Sequence, residues 1–428
     1  MGVVSRSTGP YDTPEPIEEK GVAPELVMIG ASYKSADIAF RESLARAVSP
    51  GHVLRSLASA KEVALLSTCN RFELYLTSTS PEETLAAFYE AVAAKTGAKG
   101  VRERFYQARG AGAVNHLFRV ASGLESVVVG EPQILSQVRA AGISSRKEGT
   151  AGAVLGPLFD RAYRVGTRIR GEFGFEREDA SLSDMAVEAA VSLSPKSRIV
   201  MLIGTGKMAR LAARKLAKPT TRFYVSTRRK VPPRGLQSAV IVPYSGIRKA
   251  AKKCDLIISA TTVDRPLLMR NDLKGRSRKI VIDLGLPRNV SPDVRSLPNV
   301  RLFDLDDIAE IAASREPPVA VKEAELEASR EAHDFHDWLV QTRLSSALAD
   351  LYSWADAVRV EELEHAFSRL DLKSDRDRRV LEAMGRRIVS KILSRPTKFA
   401  RRKHDTLSEE KKLELLKSVF GAESSDGR

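Results

Sequence analysis

Apolar positions run together over Glu25–Tyr33, Glu62–Leu66, Phe72–Thr77 and Val101–Gln107, predicting strands, whereas the three-to-four spacing across Ile38–Val48 and Pro81–Lys95 predicts helices. Strands and helices mix there without a regular parallel repeat, so an α+β domain is expected. From Ala111 to Phe173 the period is helical, interrupted at Gly130-Glu131-Pro132, where Pro132 suits the first turn of a helix. Short apolar runs at Arg198–Ile203, Arg222–Ser226, Ala239–Pro243, Asp255–Ala260 and Lys279–Leu284 then alternate with helical stretches, the pattern of a parallel α/β unit. Beyond Pro317-Pro318, read as a boundary, Lys322–Leu370 is helical nearly throughout. Leu344, Leu348, Leu351, Ala355 and Val358 form one apolar stripe on it, and Leu381, Met384, Ile388 and Ile392 form a second on the next helix, which Pro396 is expected to end. Two such stripes suggest dimerisation, with packing inside one subunit as the alternative.

The expected architecture is therefore a multidomain α/β chain. Its parts are a disordered tail at 1–24, an α+β domain at 25–175, a Rossmann-like unit at 176–316, a long helix leading into a helical module at 319–412, and a flexible tail at 413–428. A length of 428 residues with 43% apolar content supplies cores for several domains. Only two cysteines, Cys69 and Cys254, argue against a disulfide framework and for a reducing compartment, so a cytoplasmic protein is expected. Cys254, just ahead of a buried strand, reads as packing. No apolar run is long enough to cross a membrane. The first two dozen residues, with Pro10, Pro14, Pro16, Glu15, Glu18 and Glu19, resemble no signal or transit peptide.

Charge changes the picture further. A net +15 and a pI near 9.8 favour a polyanionic partner. Basic residues recur through Arg376–Lys412, among them Arg378, Arg379, Arg386, Arg387, Lys391, Arg395, Lys398 and Arg401-Arg402-Lys403, and either grip phosphates or form a solvated face.

Two segments carry candidate chemistry. In Ser67-Thr68-Cys69-Asn70-Arg71 the thiol sits at a strand break with a guanidinium two residues on, which would stabilise a thiolate nucleophile; the alternative is a small buried residue beside a turn. In Gly204-Thr205-Gly206-Lys207-Met208-Ala209 a strand enters a glycine turn and then a helix. The first glycine permits the turn, the second admits a pyrophosphate, and Ala209 allows close helix packing. The next strand ends Ser226-Thr227-Arg228-Arg229-Lys230 without the carboxylate that holds a ribose 2′-hydroxyl. A hydroxyl and cations there suit the 2′-phosphate of NADPH, or form a solvated basic loop.

Taken together these residues resemble the glutamyl-tRNA reductase family from about Leu26 to Arg402. The resemblance rests on Ser67–Arg71, His116–Ser126, Gly130–Val138, Val281–Arg288 and Arg386–Lys391. It implies an N-terminal catalytic domain, a central NADPH domain and a long helix leading into a helical dimerisation domain. By position it makes Cys69 the nucleophile and His116 a residue near the reacting centre, able to protonate a departing hydroxyl or merely to pack in a helix. It places Thr68, Asn70, Arg71, Ser126, Glu131, Pro132, Gln133 and Gln137 in a glutamyl pocket, Arg71 on the substrate carboxylate and Glu131 on its ammonium. Gly204, Thr205, Gly206, Lys207, Met208 and Ala209 would hold the pyrophosphate, with Ser226, Arg228 and Arg229 beyond. No metal is implied.

The implied reaction is reduction of glutamyl-tRNA(Glu) to glutamate-1-semialdehyde through a cysteine thioester, the first step of five-carbon tetrapyrrole (porphyrin) biosynthesis. A homodimer and a glutamate-1-semialdehyde aminomutase are the implied partners. Thr205, Lys207 and the Ser226-Thr227-Arg228 ending depart from the usual family pattern, as does Tyr33 where histidine is usual. Rival readings are another thioester-forming NADPH reductase, acting on an acyl phosphate or aldehyde, and an inactive tRNA-binding relative.

Overall fold

The computed structural model describes residues 24–420 apart from 49–56, 58, 176–181, 194–197, 207–210, 212–213, 217–219, 228–235, 314–319, 371–373, 403–406 and 408. The expected N-terminal tail and the Pro317-Pro318 boundary lie outside those residues. Two compact units emerge, one from 24 to 335 and one from 336 onward.

The first unit opens with a four-stranded antiparallel sheet of β1 (Glu25–Ser32), β2 (Ala60–Ser67), β3 (Arg71–Ser78) and β4 (Tyr106–Arg109), in the order β2-β3-β1-β4. Both faces are covered. Val27, Ile29, Phe72, Leu74 and Leu76 pack with α1 (Ile38–Ala47) and α2 (Pro81–Thr96). Leu26, Met28 and Tyr75 pack on the other face with α3 (Gly110–Ala121), α4 (Pro132–Lys147) and α5 (Leu155–Glu172). Burial on both faces explains why β1 and β3 read as continuous apolar runs rather than alternating ones. The strand expected over Val101–Gln107 is instead a 3-10 turn, Arg102–Arg104, followed by β4. Proline begins α4, as its position in the first turn favours.

The central sheet is wholly parallel. Its strands are β5 (Ile199–Ile203), β6 (Arg222–Ser226), β7 (Val240–Val242), β8 (Leu256–Ser259), β9 (Lys279–Asp283) and β10 (Val300–Phe303), in the order β10-β9-β8-β5-β6-β7. Helix α6 (Leu182–Leu193) leads into it, α7 (Ile247–Ala251) and α8 (Arg270–Leu273) lie along its connections, and α9 (Leu305–Ala313) follows it. The strand order reverses direction between β5 and β8, and in such sheets ligands bind in the crevice beyond the carboxyl ends of the strands at that point. Cys254 is buried with its thiol donating to the Ala250 carbonyl, in keeping with a packing role.

Helix α10 (Val321–Arg369) begins against the first domain. Ala324, Ala328 and Ala332 recur every four residues and are fully buried among α3–α5, their small side chains permitting close helix approach. Arg119 to Glu325, Arg168 to Glu327 and Arg161 to Glu331 add charge pairs along the same seam.

The second unit contains the rest of α10, α11 (Asp375–Arg401) and α12 (Glu409–Phe420). Leu344, Ala347 and Leu348 pack with Ala400, Leu413 and Leu416, and Phe399 lies against them. Two expectations are corrected here. Helix α11 continues through Pro396 to Arg401, because Leu393 and Ala400 on either side of the proline are both buried. The segment expected to be loose from 413 is helical to Phe420, with Leu413 and Leu416 as its buried face. Met384, Ile388 and Ile392 stay exposed, as do Trp354 and Val358, leaving an apolar face for another chain.

Candidate active site

Cys69 lies in the short turn between β2 and β3. Thr68 fixes that turn: its hydroxyl accepts from the N–H groups of Asn70 and Arg71, both at 3.2 Å, and its own N–H donates to the Arg71 carbonyl at 2.8 Å. Asn70 is buried, and its Oδ1 has no hydrogen-bond partner among the described residues. A buried amide oxygen left unsatisfied beside the thiol is a place for a ligand's donor.

The thiol itself differs from the sequence expectation. Cys69 is half-buried in an apolar cluster with Tyr33, Val127 and Val128, and burial pushes its thiol up to about 12, the negative charge of Glu131 adding to the effect. Arg71 is the weakest of the opposing influences, because its guanidinium is turned inward. Only 3% exposed, it gives Nη1 to Glu73 Oε1 at 2.7 Å and Nη2 to the Glu125 carbonyl. The resting thiol is therefore not primed by Arg71. The guanidinium proposed for the substrate carboxylate is already paired inside the protein.

The partner of Arg71 is a residue that the sequence reading passed over. Glu73 is fully buried at the middle of β3 and also accepts from His116 Nε2 at 2.9 Å, Tyr106 OH at 2.7 Å and Tyr75 OH at 2.9 Å. Burial alone would raise its pKa, but His116 and Arg71 outweigh burial and hold Glu73 ionised, well below the usual carboxylate range. Gly30 makes room for this cluster. It pairs with Glu73 on one side and Tyr106 on the other, and a Cβ on it would stand 2.7 Å from the Tyr106 ring and 2.9 Å from Glu73 Cγ. Gly30→Ala should cost about 1–3 kcal/mol through overpacking, read as a lower midpoint in urea unfolding. An unchanged midpoint would show that the cluster yields without strain.

The loop bearing the remaining pocket candidates is tied from below. Gly123 and Gly130 both have positive φ, and the Gly130 N–H donates to the Gly123 carbonyl at 3.0 Å. Buried Arg170, also absent from the sequence reading, donates to the carbonyls of Gly130 and Glu131 at 2.9 and 3.0 Å. Glu131 thus stands at the N-cap position of α4, buried and with its charge felt by Cys69. Ser126 is buried in the same loop, while Pro132, Gln133 and Gln137 occupy the first turns of α4, Gln133 exposed and Gln137 half-buried.

The central domain meets this site. Ile38 and Val127 share one apolar cluster with Leu202 and Ile282, against which Cys69, Ala260, Leu284 and Leu286 also pack. Charge pairs close the same junction: Arg41 Nη2 reaches Asp306 at 2.8 Å and Arg288 Nη2 reaches Glu42 at 3.1 Å. The thiol therefore lies in the apolar seam shared with the carboxyl ends of the parallel strands.

The glycine turn fits a dinucleotide. Gly204 has φ +109° and passes 2.5 Å, measured from a would-be Cβ, from the Ala260 carbonyl oxygen, so only glycine is accommodated. A Cβ on Gly206 would meet open space, where a phosphate approaches the backbone. Ser226 Oγ, buried at the end of β6, has no partner among the described residues, and Thr205 and Thr227 hydroxyls stand 3.4 Å apart beside it. Lys207, Met208, Ala209, Arg228 and Arg229 lie outside the described residues.

Comparison with known proteins gives a consistent answer along the chain. Residues 29–173 match the family model of the glutamyl-tRNA(Glu) reductase N-terminal domain, 186–311 that of shikimate/quinate 5-dehydrogenase, and 323–422 that of the glutamyl-tRNA(Glu) reductase dimerisation domain. Glutamyl-tRNA reductase of Syntrophobacter fumaroxidans is 32% identical over 435 residues, covering 94% of this chain and 92% of that protein. Its counterpart in Synechocystis sp. is also 32% identical, over 93% of this chain and 98% of its own. Among solved structures, glutamyl-tRNA reductase from Methanopyrus kandleri shares the fold with a TM-score of 0.50 at 24% identity, covering 92% of this chain and 98% of that one.

Proposed function

The chain belongs to the glutamyl-tRNA reductase family, and from that premise we propose that Cys69 takes the glutamyl group from tRNA as a thioester on the way to glutamate-1-semialdehyde. It is an oxidoreductase of the first step of tetrapyrrole biosynthesis, with a nucleotide cofactor in its central domain and a dimerisation domain that makes it a homodimer. No helix among the described residues is long and apolar enough to cross a membrane. We place the enzyme in the cytoplasm, with an aminomutase as the receiver of its aldehyde.

The observation that carries the mechanism is the position of the thiol between two sets of binding groups. On one side are Asn70 Oδ1 and Glu131; on the other is the apolar seam that runs into the strand ends of the cofactor domain. In acyl transfer the Sγ–C bond forms as the C–O bond to the terminal ribose breaks. The proton leaving the thiol is balanced by one gained at the ribose oxygen, and we assign its carriage to His116. When bound, NADPH supplies the hydride that converts the thioester to the aldehyde. Ser226, Thr205 and Thr227 offer hydroxyls rather than a carboxylate to the adenosine ribose, which supports NADPH over NADH.

Glu131 adds control. Its charge opposes ionisation of the thiol, and the α-ammonium of an incoming glutamyl group would neutralise that charge, so the nucleophile ionises when its substrate arrives. Alkylation of Cys69 by iodoacetamide should accordingly keep rising with pH beyond 9 in the free enzyme, since the thiol ionises only toward about 12. Glu131→Gln should speed alkylation about tenfold at pH 8, the equivalent of one pKa unit, while slowing turnover. A levelling of the wild-type rate near pH 8.5, or no acceleration in the variant, would contradict this arrangement. The reading as a whole is tested by supplying charged glutamyl-tRNA and NADPH and assaying for glutamate-1-semialdehyde, with no product as the adverse result.

A further inference from the structure

Glu73 receives more donors than a structural ion pair needs. Its Oε1 accepts from Arg71 Nη1, Tyr106 OH and His116 Nε2, and its Oε2 accepts from Tyr75 OH, all within 2.7–2.9 Å. The carboxylate is 0% exposed, and the side chain paired most tightly with it is a guanidinium that carries its charge at any working pH. An ionised carboxylate only accepts, so the imidazole nitrogen facing it must donate. That fixes the proton on Nε2. The other ring nitrogen, Nδ1, makes no hydrogen bond among the described residues, and the His116 side chain is 17% exposed.

We propose that Glu73 is a positioning residue of the acyl-transfer step: by accepting from Nε2–H it sets the tautomer and ring orientation of His116 and leaves Nδ1 as the nitrogen that takes the proton from the Cys69 thiol and passes it to the departing ribose oxygen. Nothing in the glutamyl pocket assigned from sequence does this. Tyr106 reinforces the arrangement, its ring 5.4 Å from the imidazole centroid while its hydroxyl holds the same carboxylate oxygen. A histidine oriented by a buried acid is a recurring way to aim one nitrogen at a reacting group. Here the acid is built into the central strand next to the nucleophile's turn, so it moves with Cys69. Gly30 protects the geometry, since no side chain larger than hydrogen fits between Glu73 and Tyr106.

The proposal rests on the thioester reading and makes a distinct demand. Protonation of the leaving group matters for a ribose hydroxyl and not for an acidic phenol. Glu73→Gln should therefore lower acyl transfer from glutamyl-tRNA by about 100-fold, the usual scale of general acid–base catalysis. Transfer from the 4-nitrophenyl ester of glutamate, which still needs the thiol's proton removed but none delivered to its phenolate, should fall less, by about tenfold. His116→Ala should show the same leaving-group dependence, and the double variant should be little worse than either single one. Equal slowing on both esters would reduce Glu73 to a structural role and overturn the proposal, as would unchanged transfer from tRNA. If Glu73→Gln does not fold, histidine-selective ¹⁵N NMR of the wild-type enzyme decides: an Nε2-protonated tautomer of His116 at alkaline pH supports it, and an Nδ1-protonated one overturns it. Cys69→Ser, run on both esters, separates the two claims. Its loss of transfer from both upholds the thioester reading irrespective of the fate of Glu73.

Discussion

Cys69→Ser is expected to reduce glutamate-1-semialdehyde formation by at least about 1000-fold while leaving unfolding behaviour close to wild type. The side chains are nearly isosteric and position 69 is half-buried in a turn held by Thr68, so the fold has little reason to respond. Chemistry has every reason to. A hydroxyl is a far poorer nucleophile than a thiolate, and an oxygen ester, once formed, resists reduction far more than a thioester does. Retention of even one-tenth of the activity would mean that the acyl group reaches the cofactor by another route. The inward-turned Arg71 sharpens the expectation, because its guanidinium is committed to Glu73 and the Glu125 carbonyl.

Gly204→Ala should produce the complementary failure. At φ +109° a side chain costs on the order of 1–3 kcal/mol in backbone strain, and its Cβ would lie 2.5 Å from the Ala260 carbonyl oxygen, a backbone atom that cannot rotate away. The turn must shift, and with it the amide groups that would face a pyrophosphate. Cofactor affinity should fall at least about tenfold, measured by fluorescence titration with NADPH, while acyl transfer to Cys69 persists. The variant should therefore accumulate thioester instead of aldehyde. Wild-type cofactor affinity would show that this turn does not grip the dinucleotide, and loss of acyl transfer as well would tie the two domains together more closely than their separate residues imply.

The sequence disclosed the domains because each has a distinct apolar rhythm. The run into Gly204 and the parallel strands after it carried their own punctuation, and β6 matches its expected bounds residue for residue. Position 69 was legible for a similar reason, as a break between two strands. What stayed hidden depends on contacts between distant segments. Arg71 looked available to a substrate because its true partner, Glu73, is recognisable as a buried acid only once β1 and β2 are seen to flank β3. A signal was present, since Glu73 is a charged residue between Phe72 and Leu74 inside a wholly buried strand. The expected lowering of the thiol pKa failed for the same cause: sequence shows the neighbouring guanidinium but neither its direction nor the approach of Glu131 from a distant segment of the chain. Pro396 misled because its local cost is outweighed by the buried anchors on both sides of it.

One measurement bears most directly on the central claim. Enzyme is incubated with charged glutamyl-tRNA in the absence of NADPH, digested at acidic pH, and the peptide containing residue 69 is weighed by mass spectrometry. The account predicts a glutamyl adduct on Cys69 that disappears as glutamate-1-semialdehyde forms when NADPH is added. An unmodified Cys69 in an enzyme that nonetheless yields aldehyde on that addition would contradict it.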